Sequence, residues 1–229
     1  LEKRGERETR VAHRRRQLLW LEDAGERVRA LLTLVDLERA LSRHEQIVED
    51  CRAVLDLDGA QSQTRGHLVE ALDALERGDE LVEALRAWIE NSPTDDLRDP
   101  LRVRLAKHLE KRGEIELALE EYRLVLETVS EGEAERVAES AVDAYTSNPE
   151  WDESAYGILK DYFARTGQWR KTVETNDRWL KSVDSEERRA TLLRENAFLL
   201  DTRAGVPAEA YRAYTAAFLA DPTDGDALG

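Results

Sequence analysis

What constrains this chain most is that it repeats itself. The hexapeptide Leu1-Glu2-Lys3-Arg4-Gly5-Glu6 recurs unchanged as Leu109-Glu110-Lys111-Arg112-Gly113-Glu114. Ala84 and Trp88 stand 34 positions before Ala118 and Tyr122. A looser echo pairs Glu26-Arg27 and Leu31-Leu32 with Glu187-Arg188 and Leu192-Leu193, each opening a long apolar pattern after an acidic stretch. A period of this size is one helix-turn-helix unit, which cannot bury its apolar face alone and is stable only in a stack. The chain is therefore expected to be all-α. In the second hexapeptide the apolar positions Leu101, Leu105 and Leu109 end at Gly113, which reads as the turn into another helix. By the same reading Gly5 turns too, so the chain is expected to begin at the end of a helix, in mid-repeat.

Composition agrees with helices. Charged residues make up 36% and aromatic residues only 6%, which disfavours a β-sandwich or barrel. The five prolines, at 93, 100, 149, 207 and 222, fall where helices end or begin. Periodicity predicts helices near 6–20, 24–41, 44–57, 60–77, 79–91, 97–111, 114–129, 132–146, 150–165, 168–183, 186–203 and 206–220. The stretch 132–146 is left without a partner between clear pairs, so an irregularity is expected there.

At this point the chain resembles the tetratricopeptide repeat family, whose unit places a Gly or polar residue at the turn, then Ala, an aromatic, Ala and a final Pro. The segment Gly205, Ala210, Tyr214, Ala217 and Pro222 carries that spacing. Gly113, Ala118, Tyr122 and Val125 carry it with Ser130 in the Pro position. The resemblance implies a right-handed α-solenoid of about twelve helices, a single domain over 1–229 truncated in mid-repeat at both ends. Residues 221–228 would open a further unit, and further repeats or a neighbouring subunit would cover the open ends. The Arg- and Ala-rich, Lys-poor composition is similar to repeats of long bacterial chains.

The resemblance also implies a function, a protein-protein interaction scaffold whose first helices line a concave groove. Carried over position by position, the groove would present Val69, Asp73 and Glu76, then Val103, Lys107 and Glu110, and finally Arg194 and Phe198. Acidic with apolar spots, it would suit a basic or amphipathic peptide or subunit. Lys107 lacks the Asn that carboxylate-gripping members pair with it, so chaperone-tail binding is not expected.

Chemistry is sparse by comparison. The four histidines, His13, His44, His67 and His108, stand singly, and no metal-ligand spacing, phosphate loop or nucleophile elbow is present. Catalysis, a cofactor, a metal and a small-molecule substrate are therefore not expected. Cys51, alone beside Val48, Val54 and Leu55, reads as a small core residue. Arg77-Gly78-Asp79 reads as an inter-helix turn, and Asp56 to Gly59 as a helix-ending turn. The five tryptophans read as packing residues, with a ligand-stacking role as the alternative.

Charge separates the remaining readings. The net charge of −15 repels phosphate backbones. Residues 1–16 nevertheless hold seven Lys or Arg against three Glu, a local +4 that leaves −19 downstream. This basic segment underlies the alternative function, a nucleic-acid-associated helical-repeat protein. No apolar run is long enough for a membrane span and no signal peptide opens the chain, so the cytoplasm is the favoured compartment.

Overall fold

The computed structural model describes residues 2–128, 132–204 and 207–220. Among them the chain forms twelve α-helices and no strand. These are α1 Glu2–Leu18, α2 Ala24–Arg39, α3 His44–Leu57, α4 Ser62–Ala74, α5 Gly78–Glu90 and α6 Asp95–Lys111, then α7 Ile115–Glu127, α8 Glu133–Tyr145, α9 Asp152–Arg165, α10 Trp169–Trp179, α11 Glu186–Leu199 and α12 Pro207–Ala220. A π-helical turn, Leu200–Ala204, extends α11. Each helix expected from periodicity is found, with shifted ends. No helix of the described residues is long and apolar enough to cross a membrane. Ser130, Gly205, Pro222 and the segment 221–228 lie outside the described residues.

Contacts gather into two compact units, Leu1–Gly113 and Glu114–Gly229. In the first, each helix from α1 to α6 packs on the next. Its core joins Val11 of α1 to Val28, Leu31 and Leu34 of α2, with Leu41 and Val54. The first helix is otherwise exposed, and its anchor is polar: the Arg15 guanidinium donates to both Asp50 carboxylate oxygens at 2.9 Å and to Glu38 at 3.3 Å. In the second unit α7 packs on α8 and α9, and successive pairs follow to α12. Tyr156 stacks on Trp179 at 5.3 Å between ring centroids, within a cluster that includes Val183 and Leu192.

The hairpins close by one local device. Helices α2, α4 and α9 are each followed by a residue in the left-handed region, Ser42, Glu76 and Gly167. The next N–H, of Arg43, Arg77 and Gln168, donates back to the carbonyl of Glu38, Leu72 and Phe163, which satisfies a helix-end acceptor. That same residue then opens the following helix. Gly113 after α6 has the same conformation, φ +76°. Ser42 and Glu76 lie 34 positions apart, so the period of the sequence is also the period of the turn. Helix α8 leaves differently, through Thr146 to Trp151, where the Trp151 and Asp152 N–H groups donate to the Asn148 carbonyl.

The sequence echoes hold unevenly. Trp88 of α5 sits over Gly66 of α4, where a Cβ would meet the indole at 3.1 Å, while its counterpart Tyr122 is fully buried. Asp23 and Ser185 open α2 and α11 by accepting the N–H of Glu26 and of Arg188, the two stretches that matched as Glu-Arg. The duplicated hexapeptide fails as a guide. Gly113 turns, but Gly5 lies inside α1, so the expectation that the chain begins at a helix end is corrected. Six residues do not fix a conformation. The turn at Gly113 follows a run of buried leucines, whereas Arg4 to Arg10 are exposed around a continuing helix.

Candidate functional site

In the second unit three elements enclose a cleft of about 340 Å³. Helix α9 contributes Lys160 and Phe163, the start of α10 contributes Trp169 and Thr172, and α11 contributes Glu195, Phe198 and Leu199. The left-handed turn at Gly167 lets α10 begin at once after α9, which brings Trp169 to the rim. The π-helical turn adds Arg203; such turns insert an extra residue per turn and recur at functional sites. The walls are mainly aromatic and aliphatic. Phe198 is 58% exposed, a large apolar side chain facing solvent. Arg170 lies over the Trp169 ring at 4.7 Å, holding the indole from outside.

The polar side chains of the lining are Lys160, Thr172, Glu195 and Arg203, and Glu195 joins a hydrogen-bond network that runs on to residues outside the lining. Lys160 Nζ donates to Glu195 at 2.8 Å, and the Asn176 amide donates to Glu195 at 3.4 Å and to Asn196 at 2.9 Å. Asn196 in turn donates to Asp177, whose carboxyl is raised by burial above its ordinary range. Thr172, 5% exposed, carries a hydroxyl with no hydrogen-bond partner among the described residues. A buried hydroxyl in that state favours a ligand that completes it.

The residues singled out from sequence fall in different places. Val69 is fully buried and Val103 is buried, so they are core residues with no surface to offer a partner, a correction to their expected place in a groove. The reason is register: both stand on the face of their helix that meets neighbouring helices. Asp73, Glu76 and Lys107 are exposed, and Glu110 is half-buried. Glu76 is in the turn, not on a helix face. Asp73 is paired with Arg104 at 3.4 Å and lies 3.7 Å from His108, so α4 and α6 meet through charge there. A related meeting precedes it with the charges exchanged, where Arg39 of α2 meets Glu70 at 3.3 Å beside His67, both of α4. Burial is the main reason that His67 and His108 are held below the usual histidine range. Arg194 is half-buried, and Phe198 is a wall of the cleft.

Of that cleft the sequence picture held Phe198 and, as a tryptophan with an open role, Trp169. Phe163, Thr172 and Lys160 were absent from it, because a helical period says which side of a helix is buried and not which three helices converge. Arg77-Gly78-Asp79 belongs to a helix start, with Arg77 paired to Glu80 and Glu45 and Asp79 to Arg112. Asp58 ends α3 by accepting the Ala60 N–H. Cys51 is buried and its thiol is pushed up to about 12 by burial, so it is inert. Among the described residues no group of three or more His, Cys, Asp or Glu is placed to hold a metal ion.

No family model matches the chain, and no curated protein matches it. Among solved structures it is similar to the MamA protein, with a TM-score of 0.35 and 13% identity over 88% of this chain and 96% of that one. It is also similar to YrrB, described as a TPR protein with an unusual peptide-binding site, at 0.34 and 14% over 87% and 89%. A third is the TPR2AB domain of yeast Sti1 in complex with pHSP90, at 0.40 and 16% over 89% and 81%. Likenesses this distant say nothing of partners. On its own hairpins, with one turn recurring 34 residues on and an aromatic of one helix seated on the glycine of another, the chain has a tetratricopeptide-like helical-repeat fold.

Proposed function

We propose that this chain is a protein-interaction scaffold whose second unit holds a basic, amphipathic peptide by an apolar anchor. The observation that carries the reading is the cleft beside Phe198, where an exposed phenylalanine, two further aromatic residues and an unsatisfied buried hydroxyl converge. Exposed apolar walls with few, fixed polar groups suit a side-chain anchor rather than a reaction. Charge supports the basic character of the peptide. The second unit holds 25 acidic and 13 basic residues, a net of −12, which raises the encounter rate of cationic segments. In the first unit Asp73 and Glu76, exposed and acidic, support the same preference for basic segments.

The test is binding of a fluorescent leucine-lysine amphipathic peptide, followed by anisotropy. Phe198→Ala and Trp169→Ala are expected to weaken it by roughly tenfold or more while leaving helicity unchanged, as loss of an interface anchor does. Reversing Asp73 and Glu76 to Lys is expected to lower the association rate and its salt dependence more than the dissociation rate. Binding that is indifferent to both cleft substitutions would sink the reading.

A further inference from the structure

A second surface, in the other unit, has the opposite chemistry. Helices α1 and α2 leave a groove between them in two adjoining stretches of about 510 Å³ and 290 Å³. Arg10, His13 and Arg14 line it from α1, Arg29 from α2, and Arg14, Gln17 and Thr33 belong to both stretches. Its apolar lining lies mainly in the larger stretch, which holds Leu37, while the smaller stretch, with Ala30 and Leu21, is more polar. One acidic residue, Glu26, stands on the rim.

These guanidiniums are unspent. Arg10 and Arg29 make no ion pair among the described residues, and Arg14 reaches only the Gln17 side-chain oxygen at 2.8 Å. In a chain with 15 more acidic than basic residues, three arginines without a carboxylate partner thus line one groove. The wall that carries Arg10 and Arg14 is held in place, since Arg15 on the same helix is clamped to Asp50 and Glu38. Next in the chain to the lining residue Leu21, Leu19 and Trp20 are 81% and 84% exposed, a large apolar pair at the end of a basic helix.

We propose that the α1–α2 groove docks an acidic amphipathic segment of a partner protein, its carboxylates on Arg10, Arg14 and Arg29 and its apolar side chains on Leu37 and Leu21. Arginine presents paired donors that match a carboxylate in a two-bond geometry, which gives such a segment both charge and direction. A nucleic-acid strand fits less well: the net charge of −15 opposes any anionic occupant alike, but Leu21 and Leu37 would meet sugar and phosphate in a nucleic acid and apolar side chains in an amphipathic segment. The groove and the cleft of the second unit would then give one chain two docking sites of opposite charge preference.

The experiment uses the intact chain with three labelled probes: a leucine-glutamate amphipathic peptide, the leucine-lysine peptide, and oligo-dT. The acidic peptide is expected to bind, to weaken as salt rises, and to weaken by roughly tenfold or more with Arg10→Glu and Arg29→Glu together. Arg10→Gln with Arg29→Gln, which removes charge without reversing it, is expected to give an intermediate loss. Phe198→Ala is expected to leave the acidic peptide unaffected, so failure here and failure of the cleft reading are told apart. The proposal is overturned if the acidic peptide does not bind, if it binds both arginine variants as it binds the parent chain, or if oligo-dT binds more tightly and is the probe those variants lose. Salt-sensitive self-association of the unliganded chain, abolished by the same variants, would instead assign the groove to a second copy.

Discussion

The two units are built from similar hairpins and hold their buried polar groups with different partners. In the first, Arg15 is clamped to Glu38 and Asp50, two carboxylates that are almost wholly buried while the arginine is 39% exposed. In the second, the buried side-chain hydrogen bonds join one amide to another, Asn176 to Asn196, and the Tyr162 hydroxyl to Glu135. Surface charge is divided as unequally, −12 on the second unit and the remaining −3 on the first. A repeat scaffold specifies where helices go and leaves free which polar groups tie them. The first unit is tied by charge and keeps spare arginines. The second adds stacked aromatic rings and an amide pair to its surface ion pairs and keeps an open apolar wall.

The sharpest way to break this contrast is at the matched aromatics. Tyr122 is fully enclosed in the second unit, so Tyr122→Ala is expected to cost about 3–5 kcal/mol. Trp88 in the first unit is only half-buried against Gly66, so Trp88→Ala is expected to cost distinctly less although it deletes more atoms. Denaturant melts combined with hydrogen exchange resolved by helix would read both. Equal losses would mean that the two positions are equivalent after all.

Next in size is the polar tie. Arg15→Ala leaves Glu38 and Asp50 buried without their clamp; partial exposure of the arginine reduces the usual penalty of a broken buried pair to about 2 kcal/mol. Asn176→Ala, which breaks a neutral amide pair, is expected to cost about 1 kcal/mol. High salt is expected to narrow the first difference and leave the second alone. If α1 exchanges no faster in Arg15→Ala than in the parent chain, the charge tie is not what holds that helix.

The turn residues come third, and here the sign follows the residue that holds the left-handed position. Gly167→Ala forces a Cβ into the left-handed region and is expected to cost about 1 kcal/mol. Ser42 and Glu76 already bear that strain in the first unit, so Glu76→Gly is expected to gain a few tenths to about 1 kcal/mol. A loss on Glu76→Gly would show that the side chain contributes more than the backbone strain it imposes.

How much of this was legible beforehand follows from what each signal measures. Twelve helices were readable because Leu81, Val82, Leu85 and Ile89, or Ala118, Leu119, Tyr122 and Val125, recur at the helical period and are buried together. The turn at Gly113 was readable from its glycine. The turns at Ser42 and Glu76 were not, because nothing in a serine or a glutamate announces a left-handed backbone. Gly5 misled because an identical string entered a different tertiary setting. Val69 and Val103 misled because a helix in a stack has more than one buried side, so counting from a family groove pointed inward. Phe198 is exposed, but the cleft around it needed Gly167, the start of α10 and a π-helical turn at once, a convergence that no single period encodes.

The smallest expected effect, and the one that separates the units most cleanly, is their response to mild acid. His67 and His108 both belong to the first unit, each beside a carboxylate, and burial outweighs that neighbour to hold both imidazoles below their ordinary value of about 6.5. The folded first unit therefore binds these protons more weakly than the unfolded chain does. Stability is full above the ordinary histidine range and falls as pH drops through it toward the folded values. Asp50 works in the opposite sense, because burial raises its carboxyl, but it does so in the carboxylate range below that of the histidines. In the second unit no histidine is present, so its hydrogen exchange, corrected for intrinsic rate, is expected to stay level over the same interval. Replacing both histidines with Gln should flatten the first unit's slope; if the slope survives, other groups tie its helices together through protons, and the charge tie at Arg15 is the first place to look.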